Sequence, residues 1–138
     1  MQKPGIILIE DSFDDAECIQ RGFQEENIRE TILHFSKGQE ALKKMLDPGS
    51  AAAYKDVRVV ILDLRLHDMD GREVLTRLKE NMHFKNIPVV ILTTSDKDTD
   101  INECRELGAS SYISKPASME SFQRAVITIA QYWKMNKL

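Results

Sequence analysis

Chemistry-bearing side chains stand at the ends of short apolar runs in this chain of 138 residues. Glu10 and Asp11 close Gly5-Ile6-Ile7-Leu8-Ile9, and Asp63 closes Val59-Val60-Ile61-Leu62. Thr93 and Thr94 close the run over 87–92, and Lys115 follows Ser110-Ser111-Tyr112-Ile113-Ser114. A carboxylate ending a buried run cannot be core filler, because an unpaired buried charge is costly. It has to emerge at the C-terminal edge of the sheet, where open α/β folds hold their ligands. If the first and third runs are neighbours, three carboxylates converge and repel one another unless a cation joins them. Oxygen donors that leave room for several waters suit Mg²⁺. A carboxylate beside such a cation, a lysine and a threonine hydroxyl is suited to attack a phosphoryl group. The cations neutralise the transferring oxygens, and the hydroxyl hydrogen-bonds one of them. The expected product is an aspartyl phosphate on Asp63.

The elements that must place these groups follow from hydrophobic period. The run 59–62, with Leu64 and Leu66 after it, is too continuously apolar for a strand with one wet face and reads as the central strand of a parallel sheet. Strands are expected at 5–9, 31–35, 87–92 and 110–114 as well. Helices fill the gaps. Ala16, Ile19 and Phe23 mark the first, capped by Ser12 or Asp14. Ala41, Leu42, Met45 and Leu46 mark the second, broken by Pro48-Gly49-Ser50. Val74, Leu75, Leu78 and Met82 mark the third. The fourth, about 99–107, has only Ile101, Cys104 and Leu107 as its stripe and should be the least firmly docked; it ends at Gly108. The fifth carries Met119, Phe122, Val126, Ile129 and Trp133. Five strands alternating with five helices imply a parallel sheet covered on both faces by right-handed crossovers.

Bulk composition narrows the partners. The 19 basic and 22 acidic residues give a net charge of −3, which leaves no electrostatic footprint for nucleic acid. Cys18 and Cys104 have no metal-ligand spacing, and packed, reduced thiols are expected, hence a reducing cytosol. No segment has the length of a membrane span or the layout of a signal peptide, so a cytoplasmic protein is expected. The length suits one domain spanning 1–138, with no second domain to carry an output.

Glu10-Asp11, Asp63 within Leu62-Asp63-Leu64, Asp70-Gly71, Thr93, Tyr112 and Lys115-Pro116 together resemble the receiver domain of two-component response regulators, across essentially the whole chain. The resemblance implies a flavodoxin-like (βα)5 fold, a doubly wound parallel sheet of order 2-1-3-4-5. It makes Asp63 the phosphoacceptor. Glu10, Asp11 and Asp63, with the backbone carbonyl of Arg65, become the site of Mg²⁺ or Mn²⁺. Thr93 becomes the switch hydroxyl with Thr94 beside it, Tyr112 the switch aromatic, and Lys115 the phosphate-contacting lysine before a cis-proline position at Pro116. The implied donor is a histidine kinase. The long loop before strand three and the Tyr132-Trp133 end look like the small regulators that serve phytochrome-type kinases. The implied output is contact with a downstream protein, or self-association, through the face made by the fourth helix, fifth strand and fifth helix. The family's usual proline four residues after the phosphoacceptor is replaced by His67, which either loosens that loop or puts a titratable ring beside the site.

Plainer readings compete for some residues. Asp14, Asp15 and Asp68 read as helix caps or solvated acids, and His34, His67 and His83 as structural or exposed rings. Tyr112 and Phe35 could be plain core residues. Tyr132 and Trp133 exceed what a terminus needs and mark a possible contact surface. Two alternative functions stand beside the receiver. One is a degenerate receiver acting only as a binding module, which would lack part of the acid set. The other is a haloacid-dehalogenase-type phosphotransferase, which would carry a second acid where Arg65 stands.

Overall fold

The apolar runs become strands because continuous β-branched and aliphatic residues pack on both faces of a sheet, and the amphipathic segments become the helices that cover it. The structure, a computed structural model, describes residues 3–136. In chain order the elements are β1 (Ile6–Ile9), α1 (Phe13–Glu25), β2 (Ile32–Phe35), α2 (Gly38–Met45), β3 (Val59–Leu62), α3 (Gly71–Glu80), β4 (Val89–Thr93), α4 (Asp98–Glu106), β5 (Ser111–Ser114) and α5 (Met119–Asn136). The strands form one parallel sheet of order β2-β1-β3-β4-β5. This is the flavodoxin-like topology expected from the sequence, with β3 at the centre and every residue of it buried. The order reverses direction beside β1 and β3, which creates the crevice where ligands of such sheets bind.

Alternate strand residues feed two cores. Ile7, Ile9, Val60, Leu62, Val89 and Ile91 pack with Leu42, Val74, Leu75, Leu78 and Cys104 from α2, α3 and α4. Ile6, Leu8, Val59, Ile61, Val90 and Leu92 pack with Ile19 and Phe23 of α1 and Phe122, Val126 and Trp133 of α5. Each such large side chain contributes roughly 1.5–3 kcal/mol of burial. The sheet is thereby a rigid platform for whatever its strand ends carry. Cys104 is the buried residue of α4, with Ile101 and Leu107 only partly covered, so this helix is the lightly anchored one, as its thin stripe predicted. It closes at Gly108, whose φ of 102° lies in the left-handed region that favours glycine.

The loop after β3 is held tightly. Gly71 N–H donates to the Leu64 carbonyl at 2.9 Å, and a Cβ on Gly71 would sit 2.5 Å from the Asp63 carbonyl oxygen and the Leu64 Cα. Only glycine lets the start of α3 approach the backbone of Asp63 that closely.

Four expectations need correction. Met82 is exposed, because it lies beyond the α3 cap Asn81, where the helical period has ended. Met119 opens α5 and is exposed in its first turn. Trp133 is core rather than contact surface: it is buried, donates from Nε1 to Glu30 Oε1 at 3.4 Å, and has the Arg58 guanidinium 5.3 Å above its ring. Tyr132 beside it is exposed. Finally, the Lys115–Pro116 peptide is trans, not cis. The trans form is intrinsically preferred by about 0.5–1 kcal/mol, and with it Lys115 N–H already donates to the Thr93 carbonyl at 2.6 Å while its ammonium reaches the acids.

Candidate phosphoacceptor and metal site

Parallel register brings the strand ends together. Ile9 pairs with Leu62, so Glu10 and Asp63 leave the sheet side by side, and Asp63 N–H donates to the Ile9 carbonyl at 3.0 Å. Leu62 pairs with Ile91 and Thr93 with Ser114, which puts Thr93 and Lys115 along the same edge.

Lys115 is the hub. Its ammonium donates to Glu10 Oε1 at 2.5 Å, Asp15 Oδ2 at 2.9 Å and Asp63 Oδ2 at 3.1 Å, with its side chain only 5% exposed. Glu10 is 1% exposed and its second oxygen accepts from Ser12 N–H at 3.1 Å. Asp63 is 6% exposed, and its Oδ1 accepts the Arg65 N–H at 3.0 Å. Asp11 Oδ2 accepts the His67 N–H at 2.9 Å, with the His67 ring Nδ1 3.1 Å from the same oxygen. Proline, lacking the N–H, could not make the first of these bonds. The substitution noted in the sequence therefore ties the loop to Asp11 and places a titratable ring beside that carboxylate.

Burial, and after it repulsion from Asp63, pushes the Glu10 carboxyl up to about 8 against the pull of Lys115. Burial opposes the charge on Lys115, but its bond to Glu10 and the charges of Glu10 and Asp63 outweigh that, and its pKa is raised. Carboxylate oxygens of Glu10, Asp11 and Asp63 lie within 4.8 Å of one another, and among the described residues the Lys115 ammonium faces them. An all-oxygen set with surplus negative charge fits a hard divalent cation.

Thr93 completes the arrangement. It is 0% exposed, and its Oγ1 has no hydrogen-bond partner among the described residues. A buried hydroxyl left unsatisfied costs about 1–3 kcal/mol, so the sheet edge holds a donor with nothing yet to donate to. Thr94, beside it, is solvent-exposed. Tyr112, half-buried on β5, donates from its hydroxyl to the Ser95 carbonyl at 2.9 Å, and Ser114 Oγ donates to the same carbonyl at 3.1 Å. The loop that follows Thr93 is thus coupled, through Ser95, to the strand that bears Tyr112.

Sequence reasoning missed several participants. Asp15, read as a cap or solvated acid, is spent on Lys115. Asp68 does cap a helix, but a distant one: its oxygens accept the N–H groups of Gly38 and Gln39 at the start of α2, at 3.0 and 2.9 Å. Burial opposes ionisation of Asp68, yet those bonds hold its carboxyl below the usual range. Ser95 Oγ donates to Asp100 Oδ2 at 2.5 Å. The Arg72 guanidinium joins Asp70 (2.8 Å) at the head of α3 to Asp100 and Glu103 (3.1 Å each) on α4. The Ser95–Asp100 and Asp70–Arg72 pairs are close in sequence, whereas the reach of Asp15 to Lys115, of Asp68 to α2 and of Arg72 to α4 is made by the crossovers, and nothing local in the sequence marks it.

Comparison with known proteins agrees with this geometry. Residues 6–127 match the family described as the response regulator receiver domain. The chain is 37% identical over 129 residues to the probable methanogenesis regulatory protein FilR2 of Methanothrix harundinacea, covering 93% of this chain and 82% of that one. It is 31% identical over 128 residues to response regulator Rcp1 of Synechocystis sp., covering 93% and 87%; the solved Mn(2+)-bound form of Rcp1 superposes with a TM-score of 0.82 over 93% of this chain and 92% of that one. The phosphorylated cyanobacterial phytochrome response regulator RcpA superposes with a TM-score of 0.86 at 30% identity, covering 100% and 97%. With its strand order, its acid cluster and these relatives in agreement, the chain belongs to the receiver domain family of two-component response regulators.

Proposed function

We propose that Asp63 accepts a phosphoryl group from a histidine kinase and that the modified domain signals through protein contact. The observation that carries this reading is the meeting of Asp63 with the Lys115 ammonium at one edge where the buried Thr93 hydroxyl has no partner among the described residues. An Asp63 carboxylate oxygen attacks phosphorus, the bond to the donor's nitrogen or oxygen breaks, and the leaving group takes the electron pair. Lys115 and Thr93 receive the phosphoryl oxygens. Glu10, Asp11 and Asp63, with the Arg65 carbonyl at the rim, would hold Mg²⁺ or Mn²⁺, which supplies charge neutralisation of the transferring oxygens. The domain acts in signalling and promotes its own phosphorylation and dephosphorylation rather than turning over a metabolite.

The likeness to Rcp1 and RcpA supports a phytochrome-type kinase as donor. A cytoplasmic location accords with a histidine-kinase partner and with free Cys18 and Cys104; among the described residues no helix is long and apolar enough to cross a membrane. For output we favour the α4–β5–α5 face. Light anchoring of α4 and the Tyr112–Ser95 bond let a movement of Thr93 reach that face, provided the phosphoryl group interacts differently with the two states. Its partner is a downstream protein or a second copy of this chain.

Incubation with Mg²⁺ and acetyl phosphate should add one acid-labile phosphoryl group, read by intact mass, and Asp63→Asn should abolish it. Undiminished labelling of that variant would overturn the assignment.

A further inference from the structure

We propose that Asp15 is a positioning residue for phosphoryl transfer, holding the Lys115 ammonium beside Asp63 when Glu10 and Asp63 turn their oxygens to other partners. The proposal rests on the reading of Asp63 as phosphoacceptor. Asp15 sits in the first turn of α1, where an acid ordinarily does no more than complement the helix dipole. Asp14 in the same turn meets that need as well. The carboxylate of Asp15 instead reaches a lysine 100 residues away, at 2.9 Å, while its own N–H is fixed by the Ser12 cap at 3.2 Å.

An ammonium has three donors, and Lys115 spends them on Glu10, Asp15 and Asp63. Two of those acceptors belong to the group whose oxygens converge for a metal ion, and one of the two is the proposed nucleophile. Asp15 lies outside that group. When the ion draws on Glu10, or Asp63 becomes an acyl phosphate, Asp15 is the one carboxylate of the three left wholly to Lys115. With one donor anchored there, the buried side chain keeps its remaining donors aimed at the reacting group rather than swinging away. Misplacement of a reacting group by about 1 Å can cost on the order of a hundredfold in rate.

The test compares unmutated protein with Asp15→Ala and Asp15→Asn, the latter keeping an acceptor oxygen in place. In the presence of Mg²⁺, proton–nitrogen NMR should find the Lys115 ammonium protons slow to exchange in the unmutated and Asn forms and about tenfold faster in the Ala form. Labelling by acetyl phosphate should slow about tenfold in Asp15→Ala and largely recover in Asp15→Asn, with Mg²⁺ affinity by calorimetry within about threefold throughout. A merely structural role would lower melting temperature and Mg²⁺ affinity together and would not be rescued by Asn. Equal ammonium protection in Asp15→Ala, or parallel loss of Mg²⁺ affinity, overturns the proposal. Failure of every form to take label would overturn the Asp63 reading instead, and the ammonium comparison then decides the place of Asp15 by itself.

Discussion

Replacing Glu10 with glutamine should change how stability depends on pH, because this carboxyl is buried beside a second acid. Without metal, burial and the neighbouring Asp63 raise it from 4.5 to about 8. An acid whose pKa is higher in the folded state holds an extra proton there. Its stabilising contribution is complete below the unfolded value and is lost as pH climbs through the folded one. Between pH 4.5 and 8 the loss approaches one proton's slope, ~1.4 kcal/mol per pH unit, or of order a few kcal/mol in all. That is a large part of the ~5–15 kcal/mol that holds a domain together. Lys115 is also shifted upward and titrates above this window, so it does not mask the effect. Glutamine resembles the protonated acid. Urea unfolding with a chelator present should therefore give matching stabilities near pH 4 and a variant ahead by about 2–4 kcal/mol near pH 8. Mg²⁺ competes with the proton, so it should stabilise the unmutated protein more at pH 8 than at pH 6. Parallel pH curves for the two proteins would refute this reasoning.

Thr93→Val removes an unsatisfied buried hydroxyl while keeping its shape, so it should raise metal-free stability by about 1 kcal/mol yet weaken binding of beryllofluoride, a phosphoryl mimic, in the presence of Mg²⁺; a variant both less stable and unimpaired in binding would contradict the assignment. Asp68→Ala should cost about 0.5–2 kcal/mol by uncapping α2. Since the Asp68 carboxyl is depressed, the difference should persist above about pH 4 and fade as pH falls through its folded value, and urea melts at pH 7 and pH 2.5 check both. Arg72→Ala cuts the tie between α3 and α4 and should speed amide exchange at 98–106 while leaving α1 unchanged; unaltered exchange in α4 would show that the ion pairs hold nothing.

What the sequence revealed, and what it hid, divides along the range of the interactions. β3 was legible as the central strand because burial on both faces leaves no polar alternation, and that one placement fixed where Asp63 must emerge. The thin stripe of α4 likewise translated directly into a helix with one buried residue. Glu10, Asp11, Asp63, Thr93 and Lys115 were legible as strand-end groups because a parallel sheet gathers its C-terminal edges whatever the loop lengths. Partners chosen across crossovers were not. Asp15 and Asp68 look alike in sequence, both acids beside turn formers, yet one is claimed by Lys115 and the other by the head of α2. Met82 and Met119 were misplaced because a period read from sequence does not mark where the helix ends or how its first turn faces. Trp133 looked like surplus aromatic surface until Glu30 and Arg58, from distant segments, closed over it.

The central claim is that a phosphoryl group is carried on the Asp63 carboxylate. Borohydride reduces an acyl phosphate to the alcohol and leaves free carboxylates untouched, so it marks the modified residue permanently. After treatment with Mg²⁺ and acetyl phosphate, peptide mass spectrometry should find homoserine at position 63 and unmodified acids at positions 10, 11 and 15. Reduction at any of those three, with Asp63 intact, would contradict the account.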